Sequence, residues 1–336
     1  MSTLRIGISS CLAGNPVRHN SNHCGNHKFV KALRSYGAEF VAVCPEVEIG
    51  LPTPRKQMRL VGGVIGRIRD IEDWGKVYDK TVNLVVRETG EDLTSRMQTY
   101  ARAKVASLKQ MNLDGYILKS KSPSCGINGI KLYQSQKSHG ANGSGPGMYA
   151  RVLIDEWPTL PIEEEGRLND INIRAHFIIR ILCHNAFRNI TRKNYKNLKE
   201  FHNKNKYVMM AHCEDVMPQL DKLLSKHKNS ENIEELYEKY YQQFFQGIKK
   251  RATRSSTRKS LVHLIDYLKK NVDVDDRDEM IQLVEEYHNG EVPFTIPSTL
   301  ITHHLRKAAK KSPPAIVYRH EVLLQTHPLQ RTVLML

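Results

Sequence analysis

The spacing of apolar residues changes character once along the chain. Up to about residue 155 they fall in short runs separated by helical stretches. Leu4-Arg-Ile-Gly-Ile8 reads as a strand ending at Ser9-Ser10-Cys11, and Lys28 to Tyr36 as a helix stopped by Gly37. Glu39-Phe-Val-Ala-Val43 reads as a second strand ending at Cys44-Pro45, and Asn83-Leu-Val-Val86 as a further one. Thr94 to Met111 has helical spacing, with Ala101, Ala103, Val105, Ala106 and Leu108 as its apolar stripe. Gly115-Tyr-Ile-Leu118 is a central strand that runs out into Lys119-Ser-Lys-Ser-Pro-Ser-Cys125, and residues 136–147 read as a loop. Strands alternating with helices predict βαβ units and a parallel sheet. Residues 157–165, with Glu163-Glu-Glu165, read as a connector. From about Leu168 onward strand-like runs vanish and helical periodicity dominates to about residue 311.

The fold expected is therefore an α/β domain over residues 1–160, its parallel sheet carrying a metal site, followed by an all-α domain over 161–336. A length of 336 residues agrees with two domains. No apolar stretch is long enough to span a bilayer, and the N-terminus lacks a secretory pattern, so a cytoplasmic protein is expected. Against 35 acidic residues stand 51 basic ones, a net charge of +16. The surplus is spread over both halves, with 22 basic against 13 acidic residues up to 160 and 29 against 22 beyond it. Such a surface asks for an anionic partner, nucleic acid or an acidic membrane face.

Six cysteines are too few for a disulfide framework. Cys11, Cys44 and Cys125 share one topological position, each just beyond the C-terminal end of an expected parallel strand. Ligand sites of open α/β sheets form there. Three thiolates converging in such a crevice suit zinc or an iron–sulfur cluster and leave one coordination position open. Cys183 and Cys213 sit in apolar helical segments and read as core. Cys24 lies among His19, His23 and His27 without diagnostic spacing. His212, His303 and His304 read as packing histidines, and the glycines of 140–147 match no nucleotide-binding loop. The densest basic run is Lys249, Lys250, Arg251, Arg254, Arg258 and Lys259, with no acid among them; others are Arg192–Lys206 and Arg306–Lys311.

Three motifs carry a family resemblance: S-x-C-L-x-G at 9–14, V-C-P-E-V-x-x-G-L-P-T-P-R at 43–55 and L-K-S-x-S-P-S-C-G at 118–126. In this order they resemble the TudS family of thiouracil desulfidases, over residues 4–155. G-R-L-N-D at 166–170, F-H-x-x-x-K-Y-V-M-M-A-H at 201–212 and P-S-T-L-I-T-H-H at 297–304 resemble the YbgA-type domain. Chains with both domains resemble the RudS-type desulfidases of 4-thiouridine in transfer RNA. The resemblance implies a 4Fe-4S cluster on Cys11, Cys44 and Cys125, with one iron open to the substrate sulfur. It implies catalytic roles for Glu46 and Ser122, with Ser10 and Ser124 as substrate contacts. The chain departs from the family where His19-Asn20-Ser21 replaces a usual Y-D-G and where Arg59 stands at a commonly acidic position.

The expected activity is hydrolytic, non-redox replacement of sulfur by oxygen on 4-thiouridine in transfer RNA, with Lys249, Lys250, Arg251, Arg254 and Arg258 gripping the RNA backbone. Two other readings stay open: a desulfidase of free thiouracil or another small thionated base, and a non-catalytic iron–sulfur protein that binds nucleic acid and senses redox state.

Overall fold

The computed structural model describes residues 3–25, 27–62, 66–67, 82–227 and 232–311. These form two compact units, one ending at Phe177 and the other beginning at Ile178.

The first unit is built on β1 (Arg5–Ser9), α1 (Ser10–Ala13), α2 (Lys28–Ser35), β2 (Glu39–Val43), α3 (Pro45–Glu48), β3 (Met58–Gly62), β4 (Gly66–Arg67), β5 (Val82–Val86), α4 (Thr94–Gln110), β6 (Gly115–Leu118), β7 (Ile130–Tyr133), β8 (Ala141–Gly145), α5 (Met148–Glu156) and β9 (Ile162–Glu164). Four strands form an all-parallel sheet in the order β2-β1-β6-β9. A parallel sheet covered on both faces needs near-continuous apolar strands. β6 is buried throughout and β1 at all but its first residue. Gly7 is the exception to bulk. It pairs with Tyr116 in register, and a Cβ at Gly7 would stand 2.2 Å from the Tyr116 ring.

A second, mixed sheet runs β4-β8-β7-β3-β5. Its β8 lies inside the stretch expected as a loop. Ala141–Gly145 has little strand propensity, but it pairs antiparallel with β7, whose Ile130 and Leu132 are buried. The expected connector likewise holds β9, an edge strand parallel to β6. On α4 the buried residues are Met97, Ala101, Val105 and Leu108, spaced four, four and three apart, whereas Ala103 and Ala106 face solvent. That spacing is one face of a 3.6-residue helix, which the alanine-rich run obscures.

The second unit is helical: the end of α6 (Ile171–Arg188), then α7 (Tyr195–Lys204), α8 (Lys206–His212), α9 (Met217–Lys226), α10 (Ile233–Gly247), α11 (Arg254–Leu268), α12 (Val274–Asn289) and α13 (Thr295–Lys311). Asn194, Asn232, Thr253 and Asp273 cap four of them, each accepting a main-chain N–H three residues on. Phe187, Phe201, Tyr240, Phe244 and Phe245 pack edge-to-face or stacked in its core. No helix of the described residues is long and apolar enough to cross a membrane.

One polar chain enters this core. His202, 3% exposed, meets Tyr240 Oη at 3.1 Å through Nδ1 and Asp221 Oδ1 at 3.1 Å through Nε2. Burial pulls its pKa down to about 4, helped by Lys199 and opposed by Asp221. The folded state therefore favours the neutral ring. Its contribution to stability is complete above the unfolded value of 6.5 and is lost as pH falls toward about 4. Burial lowers His212 in the same direction. The urea midpoint of the helical unit is expected to fall between pH 6.5 and 4, and less steeply in His202→Gln; an unchanged slope would exclude His202 as its source.

Candidate functional site

The order β2-β1-β6 places the C-terminal ends of three neighbouring strands side by side, and each end releases one cysteine. Cys11 is the second residue of α1, directly after β1. Cys44 is the residue before α3, with Pro45 opening the helix where a missing N–H is harmless. Cys125 follows β6 through the Ser-Pro-Ser turn. All three line one cavity of about 390 Å³, together with Ser10, Glu46, Arg55, Lys119 and Ser122.

The thiols are costly to ionise where they stand. Burial pushes Cys11 up to about 12, raises Cys44, and raises Cys125 well above the ordinary thiol range. Thiolates there need a cationic centre to compensate them. The donor set is soft, as a thiophilic metal centre requires. Among the described residues no three His, Cys, Asp or Glu side chains converge tightly enough to hold one ion. The three thiols share a cavity wall rather than a single coordination sphere.

Glu46 faces the same cavity. Its Oε2 accepts from Arg55 Nε at 2.8 Å and from a second guanidinium nitrogen of Arg55. Its Oε1 accepts from Ser124 Oγ at 3.0 Å and, more distantly, from Ser122 Oγ at 3.4 Å. Helix capping, the ordinary task of a carboxylate in such a loop, falls to Glu48, which accepts the Cys44 N–H at 3.1 Å. Glu46 is thereby left to the cavity. Arg55 also donates to Val17 O at 2.8 Å, so one guanidinium ties the 15–19 loop to Glu46.

Ser122 Oγ accepts the N–H groups of Ser124 at 3.2 Å and Cys125 at 3.1 Å, which shapes the turn that presents Cys125. Ser10 lines the cavity and accepts Asn15 Nδ2 at 2.8 Å. Ser124 is fully buried and lies behind the cavity lining, bonded to Glu46. The turn is held from outside as well. The N–H groups of Gly147, Met148 and Ala150 donate to Gly126 O, Pro123 O and Ser124 O. Glu164 Oε1 accepts Ile127 N–H at 2.6 Å. Glu165 binds Ser120 N–H at 2.6 Å, Ser120 Oγ at 2.8 Å and the Lys119 ammonium.

In the sequence Arg55 stands inside a motif without a role of its own, and Gly147, Glu164 and Glu165 belong only to an expected loop and connector. The run of three carboxylates, Glu163 to Glu165, closing an otherwise largely apolar connector was the available signal for the last two.

The basic candidates lie in the helical unit. Lys249 and Lys250 follow α10, and Arg251 precedes the Thr253 capping box that opens α11. Arg258 pairs with Glu285 through Nε at 2.8 and 2.7 Å, Lys259 with Glu214 at 3.2 Å, and Lys250 approaches Asp215 at 3.8 Å. On α13, Arg306 and Lys307 are exposed, and the side chains of Lys310 and Lys311 fall outside those described. His212 Nδ1 meets Lys250 O at 2.9 Å, and His304 Nδ1 meets Asp276 Oδ2 at 3.4 Å. Cys183 and Cys213 are buried in the helical core.

The chain was compared with known proteins. A sequence model described as 2-thiouracil desulfurase matches residues 6–165, and one for a family of unknown function, DUF1722, matches residues 206–328. An uncharacterized protein of Bacillus subtilis (strain 168), YbbK, is 32% identical over 166 residues, which are 49% of this chain and 99% of the relative. A solved structure, the [4Fe-4S]-dependent thiouracil desulfidase TudS, is 26% identical, covering 50% of this chain and 94% of its own, with a TM-score of 0.37.

The Glu46–Arg55 pair is nearly dry, with side chains 14% and 5% exposed. Removing one partner of a buried pair leaves an uncompensated charge, at about 3–5 kcal/mol. Arg55→Met is expected to lower the stability of the α/β unit by that order in chemical denaturation, and Arg55→Lys by less because the charge remains. Equal stability of Arg55→Met and the parent would show that the clamp carries no energy.

Proposed function

Because the chain belongs to the 2-thiouracil desulfurase family, we propose that it is an iron–sulfur-dependent desulfidase acting on 4-thiouridine in transfer RNA. Thiocarbonyl plus water becomes carbonyl plus sulfide, a hydrolysis that consumes no electrons. The observation that carries the reading is the clamped Glu46, set into a cavity walled by three thiols.

Cys11, Cys44 and Cys125 are the residues that would hold a 4Fe-4S cluster. A cluster is gripped at separate corners, which suits thiols sharing a wall without sharing one coordination sphere. When bound, it supplies a soft Lewis acid that polarises the C=S bond. The rest falls to the chain's own side chains. The Arg55 fork fixes Glu46 by one oxygen. Its other oxygen takes a proton from water attacking C4 of the pyrimidine. Ser122 and Ser124 hold that oxygen in place. Ser10, on the lining, is a contact for the base.

A net charge of +16 supports an RNA substrate, and the helical half, residues 161–336, is the part we assign to gripping its backbone. The target base must leave its stack to enter the cavity, as other base-modifying enzymes require.

Anaerobically reconstituted protein is expected to remove 4-thiouridine from transfer RNA with more than one sulfide released per chain. Cys125→Ala is expected to lose both bound iron and turnover. Glu46→Ala is expected to keep its iron and lose turnover by about 10²–10⁴-fold, the usual worth of a positioned base. A Glu46→Ala enzyme at full speed would end that assignment. Separately, replacing Arg251 and Arg254 by Ser should weaken turnover of transfer RNA and flatten its salt dependence, while turnover of free 4-thiouracil is unaffected. Equal loss on both substrates would move the role of these residues from RNA binding to folding.

A further inference from the structure

The cavity explains three cysteines of the first unit and leaves a fourth. Cys24 is partly exposed and absent from the cavity lining. Its N–H donates to Cys11 O at 2.7 Å, which places the two residues side by side across adjoining loops. The approach is close all along this stretch: a Cβ on Gly25 would lie 2.8 Å from the Gly14 α-carbon. A main-chain hydrogen bond of this length holds two backbones at the spacing disulfides span, about 4.4–6.8 Å between α-carbons. Cys24 is thus tied directly to Cys11 through the main chain.

We infer that Cys11 and Cys24 form a reversible thiol pair that closes to a disulfide under oxidant whenever Cys11 is not engaged in the cavity. Cys24, the more exposed of the two, meets peroxide first. The thiol is oxidised by hydrogen peroxide: the O–O bond breaks, an S–O bond forms, and one water leaves with a sulfenic acid on Cys24. Cys11 sulfur then displaces that oxygen, the S–S bond forms, and a second water leaves. Two thiols and one peroxide give one disulfide and two waters. Without Cys24, a sulfenic acid on Cys11 is taken by a second hydrogen peroxide, which leaves as water, to sulfinic acid, which thiol reductants do not reverse. The pair thus keeps a ligand-position cysteine recoverable. This consequence rests on the desulfidase reading, whereas the pairing itself does not.

The test uses the full-length chain, reduced, freed of iron and treated with one equivalent of hydrogen peroxide. Alkylation and non-reducing peptide mapping then read the result. The expected outcome is a peptide joining Cys11 to Cys24, a loss of two alkylatable thiols of the six, and full recovery with dithiothreitol. Cys44→Ser should leave the joined peptide intact. Cys24→Ser should abolish it, and with two or more equivalents of peroxide Cys11 should turn to sulfinic acid, so that the thiol count no longer recovers. A disulfide from Cys11 to Cys44 or Cys125, or a Cys24 still freely alkylatable after Cys11 has been oxidised, would overturn the inference. Neither cluster nor turnover enters the readout, so failure of the desulfidase reading would leave this result standing, and the reverse.

Discussion

The parallel pairing of β1 between β2 and β6 is the constraint on which the rest depends. Parallel strands run their C-terminal ends to one edge, so a residue placed just past each end is delivered to the same crevice. The register is fixed by packing as much as by hydrogen bonds, since the Tyr116 ring occupies the space a side chain at Gly7 would need. The same sheet continues into β9, and the carboxylates at its C-terminal end brace the cavity loops. Glu164 reaches Ile127 N–H, and Glu165 reaches Lys119 and Ser120. Burial raises Glu164, with the N–H groups of Ile127 and Asn128 pulling it back. Burial raises Glu165 too, but its bonds from Lys119 and Ser120 outweigh this and hold it below the usual carboxylate value. The edge strand therefore orders the site without entering it.

Within the crevice, polar groups are disposed to hold Glu46 in place. Its two oxygens have different duties: one is locked in a guanidinium fork, the other shared by two hydroxyls. A guanidinium held at two nitrogens fixes the position of that oxygen. Ser122 does double work, since the hydroxyl that meets Glu46 also accepts the Cys125 N–H. Displacing Glu46 and displacing Cys125 are thus coupled through one side chain.

Much of this was legible beforehand. Strand runs ending at Cys11, Cys44 and Cys125 announced both the parallel sheet and the meeting of the three residues, because a period-2 or continuous apolar run is a local signal. What escaped reading were features decided by tertiary partners. Ala141–Gly145 has strand geometry because β7 and β4 pair with it, not because of its own residues. Ala103 and Ala106 looked like core because alanine is apolar, yet the buried face is set by Met97 and the residues four and eight beyond it. Arg55 and Glu164 are separated from their partners by nine and thirty-seven positions, and no local pattern marks such pairs.

The same distinction governs the basic surface. Read along the chain, Lys249 to Lys259 is a run without acids. In space, Glu285, Glu214 and Asp215 stand opposite Arg258, Lys259 and Lys250. Exposed pairs like these contribute little to stability and leave the net charge of the unit, and hence its long-range field, unchanged. What they change is local. A phosphate approaching Arg258 must displace a carboxylate already bound by its Nε, whereas Arg251 and Arg254 have no acidic partner within ion-pair distance among the described residues. Within the run from Lys249 to Lys259, the two arginines without an acidic partner among the described residues, Arg251 and Arg254, thus stand together at the start of α11.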